Sequence, residues 1–280
     1  MNLGRAGGMA LAFVCAALDP AFALELTGQA IQGGLIVGHA ESGSRVALDG
    51  REVRVAPDGR FLIGFGRDQA PSAQLAVTAP GGGVLRRTLA VAQRRYDIQR
   101  IDGLPPKLVT PDPETLRRIE NERAQIRAAR AFESPELRFG VRFAWPAEGP
   151  ISGVFGSQRV LNGEPRSTHL GLDIAAPEGA PVRAAAAGRV ALVHEDMVLT
   201  GKTVLLDHGH GLTTIYVHLA EIQVRAGEIV AQGTPIGRIG KTGRATAAHL
   251  HWGVSLFDVA LDPALLVPDR AAGAHAETKN

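Results

Sequence analysis

The chain has 280 residues, with 30 Lys and Arg against 28 Asp and Glu, a formal net charge of +2, 34 Gly, 17 Pro and 5% aromatics. That length supports one large or two ordinary domains, and the turn-rich composition points to β structure rather than a helical bundle. No Lys/Arg cluster suggests nucleic acid, while the mild positive charge suits an anionic surface such as a bacterial wall.

Residues 1–23 read as a signal peptide. Arg5 supplies a positive start, residues 8–18 a short apolar run, and Ala21-Phe22-Ala23 a small-x-small cleavage site. The run is too short to span a bilayer, so export to the periplasm or cell envelope is expected, with no stable membrane anchor. Cys15, the single cysteine, lies inside this segment. The mature chain then has no disulfide, and any metal must be held by His, Asp or Glu.

Residues 24–101 alternate in the manner of short strands, at 34–38, 44–48, 52–55, 59–64, 74–78 and 84–91. Asp49-Gly50 and Asp58-Gly59 supply turns between them. A small β-sandwich accessory domain of immunoglobulin-like type is expected, without a cluster of chemically active residues. Residues 102–143 form a linker with one charged helix. It opens around Thr110 to Glu114, runs to Ala131, and carries a thin apolar stripe of Leu116, Ile119 and Ile126. A connecting helix packed along one side is the plainer expectation; a strap covering a neighbouring site is the alternative.

The chemistry lies in residues 144–268, ahead of a disordered tail over 269–280. His169 and Asp173 are four apart, but Gly171 and Pro177 argue against a helix. In a regular strand they would stand about 13 Å apart, too far for one ion. If both bind one metal, the backbone must bend between them, and Gly171 is the residue that permits it. A loop histidine beside a turn-forming aspartate is the equally weighted alternative. Further on, His208-Gly-His210-Gly211 reads as a turn before a strand on which Thr214, Tyr216 and His218 share a face. His249 and His251 flank Leu250 on a strand, so both imidazoles leave one face while Leu250 enters a core. The fold class expected is all-β and antiparallel.

In order, His169-x-x-x-Asp173, the Asp207-His-Gly-x-Gly211 turn, Tyr216-x-His218-Leu219 and the run from Gly240 through Thr246 to His249-Leu-His251-Trp252 resemble the catalytic domain of lysostaphin-type (LytM-like) zinc endopeptidases. That family cuts the peptides of bacterial peptidoglycan. The resemblance covers residues 153–254 and implies one Zn2+ per chain, held by His169, Asp173 and His251. It further implies that His218 and His249 flank the attacking water as catalytic residues. His210 stands where the family often has Asn and is expected to serve the turn. Tyr216 is open between a substrate contact and a packed side chain, and His208 is expected to be structural. Peptidoglycan is the partner implied; protein partners at the wall or division site are not specified by any motif. Some relatives have lost their ligands and only activate amidases, so a silent wall-binding module is the alternative, disfavoured because all five positions are filled.

Overall fold

The computed structural model describes residues 24–101, 112–132, 134–138, 142–161, 164–165 and 167–269. The expected signal peptide, most of the linker before the helix (Thr110 and Pro111 included) and all but the first residue of the expected tail lie outside them.

The first region contains β1 (Glu25–Gly28), β2 (Leu35–His39), β3 (Arg45–Leu48), β4 (Arg51–Val53), β5 (Arg60–Gly64), β6 (Ser72–Thr78) and β7 (Val84–Ala90). They form two antiparallel sheets, ordered β1-β2-β5 and β4-β3-β6-β7. Alternation builds the core between them: Val46, Phe61, Ile63, Leu75, Val77 and Leu89 turn inward, all at most 5% exposed. The Asp49-Gly50 turn works as expected. Leu48 pairs with Arg51, and both turn residues have positive φ, 48° and 79°, the conformation a two-residue hairpin demands.

After β8 (Ile98–Ile101), helix α1 runs from Pro113 to Ala131. Asp112 caps it, accepting from the amides of Glu114 and Thr115. The apolar stripe is thinner than expected: Ile119 is buried, whereas Leu116 is exposed. Ile126 and Ala129 pack on Leu205, Ile215 and Val217 of the neighbouring sheet.

The remaining strands are β9 (Ile151–Gly153), β10 (Gln158–Leu161), β11 (Glu164–Pro165), β12 (Leu172–Ala175), β13 (Pro181–Arg183), β14 (Gly188–Met197), β15 (Gly201–Asp207), β16 (Leu212–Ile222), β17 (Ile229–Val230), β18 (Pro235–Ile239), β19 (His249–Leu256) and β20 (Val259–Leu261). The large sheet follows the order β17-β14-β15-β16-β19-β12-β9, with β18 joining β13 to β16 and β20 flanking β19. All its pairings are antiparallel, as expected for this region. Its core holds Ile174, Leu206, Leu212, Tyr216, Leu250 and Trp252, each fully buried.

Two features join the regions in ways the strand pattern does not announce. Leu62 of β5 is buried within the core of the large sheet, together with half-buried Leu35 and Val37. And β8 pairs with β10 in parallel, in a small separate sheet with β11.

Candidate metal centre

His249 and His251 sit on β19 as alternation requires, with Leu250 and Trp252 fully buried on the opposite face. Antiparallel pairing then sets Asp173 of β12 directly across from His251. His169 precedes β12 in a loop, so the chain turns at Leu170-Gly171 instead of continuing as a strand. Gly171 is needed for closeness rather than for a bulge: a Cβ there would press on Trp252 O and on His251 Nε2. The register shift in β12 falls later, between Asp173 and Ile174 against β9.

These three side chains converge. His169 Nε2 lies 3.0 Å from Asp173 Oδ1 and 2.9 Å from His251 Nδ1, and His251 Nδ1 lies 2.8 Å from Asp173 Oδ1. His169 Nδ1 is 2.9 Å from Val154 O, and a carbonyl can only accept, so that nitrogen carries the ring's proton. Nε2 of a neutral His169 is therefore a bare lone pair aimed at a carboxylate and a second imidazole. At most one proton is available for three mutual contacts, whereas a cation at their centre satisfies all three. A tetrahedral ion with bonds near 2.0 Å wants donor atoms roughly 3.3 Å apart, so opening the triangle by a few tenths of an ångström admits it. The residues fit a metal ion, and among the described residues this is the cluster of three His, Asp or Glu able to hold one.

Burial alone would raise Asp173, but the imidazoles of His169 and His251 set against its Oδ1 outweigh it and hold the carboxyl well below the usual range. Burial pushes His251 down. The side chains of His169, Asp173, His249 and His251 remain 18–24% exposed, so the centre opens to solvent. Helix α1 packs on β14 and β15 and, through Ile126 and Ala129, against Ile215 and Val217 of β16, on the face of the sheet that also carries His251.

His218 reaches the same face by a route that strand alternation misses. A regular β16 would place it with Thr214 and Tyr216, in the core. Instead its φ is +63°, and the register against β15 shifts between Val204↔Tyr216 and Lys202↔Leu219. That local twist brings the His218 ring to 4.7 Å from the His249 ring and 6.4 Å from that of His251, centroid to centroid. The expectation that Thr214, Tyr216 and His218 share a face is thus corrected. Both flanking imidazoles are oriented by backbone carbonyls: His218 Nδ1 donates to Thr242 O at 2.8 Å and His249 Nδ1 to Ala247 O at 2.9 Å. Each then keeps a bare Nε2, and that of His249 lies 3.9 Å from Asp173 Oδ1. Burial lowers the His218 pKa to about 4, so the ring is neutral near pH 7.

Thr242 lies in the run between Gly240 and Thr246. Its hydroxyl donates to Leu219 O and accepts from the Lys202 amide, which fixes the carbonyl that His218 uses. Tyr216 is fully buried and accepts from the Ala185 amide, a packed side chain rather than a substrate contact. His208 is buried between Ala187 O and the Thr214 hydroxyl, and His210 serves the turn with φ +52° and Nε2 at 3.1 Å from Pro135 O.

Known proteins resemble this chain. The family model described as Peptidase family M23 matches residues 167–263. The cell division protein DipM of Caulobacter vibrioides is 32% identical over 166 residues, 57% of this chain and 26% of DipM. The DD-carboxypeptidase/endopeptidase Mpg of Neisseria meningitidis is 39% identical over 124 residues, 40% of this chain and 27% of Mpg. The chain therefore spans about a quarter of the length of these curated relatives. A solved Pseudomonas aeruginosa structure described as a peptidase M23 shares 33% identity and a TM-score of 0.67, over 85% of this chain and 95% of that one. With the ordered motifs, the converging His169, Asp173 and His251, and a likeness that runs through nearly the whole of a solved relative, the chain belongs to peptidase family M23.

Proposed function

We propose that this chain is an exported zinc endopeptidase that hydrolyses peptide bonds of bacterial peptidoglycan, in the stem peptide or cross-bridge. The observation that carries the reading is the triangle of lone pairs at His169, Asp173 and His251, with two further bare imidazole nitrogens beside it. One Zn2+ held by those three residues supplies Lewis acidity, polarising the scissile carbonyl and acidifying water. The rest is done by the protein. The carboxylate of Asp173 offsets part of the ion's charge, and Val154 O keeps His169 in the tautomer that can ligate. His249 and His218, turned inward by Ala247 O and Thr242 O, accept the proton of the attacking water and orient it. Peptidoglycan-directed chemistry is supported by the Vibrio cholerae peptidoglycan DD-endopeptidase ShyA, 39% identical over 84 residues, 30% of this chain and 19% of ShyA.

The proposed domain division is a signal peptide over 1–23, an immunoglobulin-like accessory sandwich over 24–101, a linker with α1 over 102–143 and the peptidase over 144–268. No described helix is long and apolar enough to cross a membrane. The test is incubation of the zinc-loaded chain with purified sacculi, followed by mass spectrometry of the released muropeptides. Release that stops with His249→Ala confirms hydrolysis at this centre; no release by the loaded wild-type chain overturns it in favour of an amidase-activating module.

A further inference from the structure

The accessory sandwich has no catalytic cluster, yet it touches the metal centre's weakest point. His169 is the one ligand of the three that lies in a loop, and three hydrogen bonds hold it to residues 154–157. Its Nδ1 donates to Val154 O, its amide donates to Ser157 O at 2.8 Å, and its carbonyl accepts from the Gly156 amide at 2.8 Å. A loop can orient a ligand only if something orients the loop.

The sandwich does so from the other side. Arg67, its side chain 14% exposed, donates from Nε to Gly156 O at 2.8 Å. The Tyr96 ring lies so close over Gly156, which has φ +84°, that any Cβ there would come within 2.0 Å of a ring carbon. Tyr96 also meets Phe155 edge-on at 6.2 Å, and Phe155 is 2% exposed. The guanidinium groups of Arg67 and Arg94 stand 4.6 and 5.3 Å from the Tyr96 ring centre. Arg94 is anchored in turn on Asp262, 2.7 Å away and 4% exposed. Just beyond the loop, the Gln158 amide donates to Asp97 O, and β10 runs parallel to β8. The 154–157 loop is thus fastened by a ring, an arginine and a strand that all belong to the accessory region.

We propose that the accessory sandwich is a clamp on the metal centre, in which Tyr96 and Arg67 are positioning residues that hold the 154–157 loop and through it His169. The inference rests on the assignment of His169 as a metal ligand. Groups that orient a ligand from behind change metal affinity by about 10–100-fold, so loosening this clamp should speed zinc loss by roughly tenfold.

The experiment measures the rate at which a chromogenic chelator takes zinc from the loaded full chain, with circular dichroism on the same samples. Tyr96→Ala and Arg67→Met are expected to release zinc roughly tenfold faster while remaining folded. Tyr96→Phe keeps the ring and removes a buried hydroxyl that makes no hydrogen bond among the described residues, so it should release zinc at the wild-type rate. Val77→Ala weakens the accessory core and should lower the melting temperature without speeding release. If Tyr96→Ala does not fold, Arg67→Met decides. Wild-type release rates in Tyr96→Ala and Arg67→Met, or equal acceleration in Val77→Ala, would overturn the clamp and leave the metal assignment standing. A wild-type chain that takes up no zinc would overturn both.

Discussion

The two β regions of this chain bury different things. The accessory core is almost wholly apolar, with Gln32 and Ser44 as its buried polar side chains. The peptidase region buries Thr203, Asp207, His208, His210, Thr213, Thr214, His218, Ser255 and Asp262. Burying a polar group costs free energy unless it is hydrogen-bonded, so such a density needs a reason. The reasons divide in two. His208, Thr214 and Tyr216 form a hydrogen-bonded chain between Ala187 O and the Ala185 amide, which ties one strand to the next. His218, a few residues along the same strand, is held by Thr242 O with its other nitrogen left bare. The difference teaches that burial of a histidine does not mark function. What marks it is a nitrogen left without a partner and facing other such atoms.

The sharpest division is within the five site residues. His251→Ala, His169→Ala and Asp173→Ala should each strip zinc under mild chelation and abolish turnover, since each removes one of the three proposed ligands. His218→Ala and His249→Ala should keep near-stoichiometric zinc and lose turnover by about 10²–10⁴-fold, the usual size of an acid–base contribution. Elemental analysis alongside muropeptide release checks both; loss of metal in His249→Ala but not in His251→Ala would reverse the assignment on β19.

A second experiment asks whether the two regions are separate at all. Leu62 belongs to the accessory sheet but is buried in the peptidase core. Leu62→Ala should cost roughly 2–5 kcal/mol, and calorimetry should show the single transition of the wild type moving down as one. Two resolved transitions in the wild type would make them independent bodies. For the same reason, a chain cut back to about Ala144 would uncover Leu256 and Leu261, and should lose stability as well as the clamp.

The buried histidine of the structural chain carries a pH signature. Desolvation lowers the His208 pKa to about 4, only partly offset by its hydrogen bond to Ala187 O, against 6.5 when unfolded. Between those values the unfolded chain binds the extra proton, so this contribution is intact above pH 6.5 and is lost progressively as the pH falls towards 4. It amounts to roughly 3 kcal/mol, to be read from urea unfolding at pH 7.5, 5.5 and 4.5. A His208 resonance titrating near 6.5 in the folded protein would remove the effect. The smallest expected change is in α1, where Asp112→Ala removes the cap and should cost about 1 kcal/mol, visible as a slight shift in melting temperature.

Much of the molecule was legible in the sequence because local rules suffice for it. Period-two alternation fixes which side of a strand a residue takes, so His249 and His251 could be paired, and Leu250 sent inward, from spacing alone. Asp49-Gly50 announced its hairpin because few residues accept two positive φ angles in succession. The ordered motifs pointed to the family. Where the rules failed, a local irregularity had overridden the period: the bulge at His218 turns its ring off the face that Thr214 and Tyr216 share. Thr242 was visible in its glycine-flanked motif but without a task, because its task is a hydrogen bond to a histidine 24 residues earlier.

By itself, then, the sequence determined the class of fold and the turns, since these follow from periodicity and turn chemistry, while the set of metal-capable side chains came from the resemblance of its ordered motifs to a family. Only the tertiary structure decided that Asp173 faces His251 across 78 residues, that His169 bends round to meet them, and that a second region braces the loop behind it. Those relations depend on register between distant strands and on close packing at one glycine, which no local pattern of residues encodes.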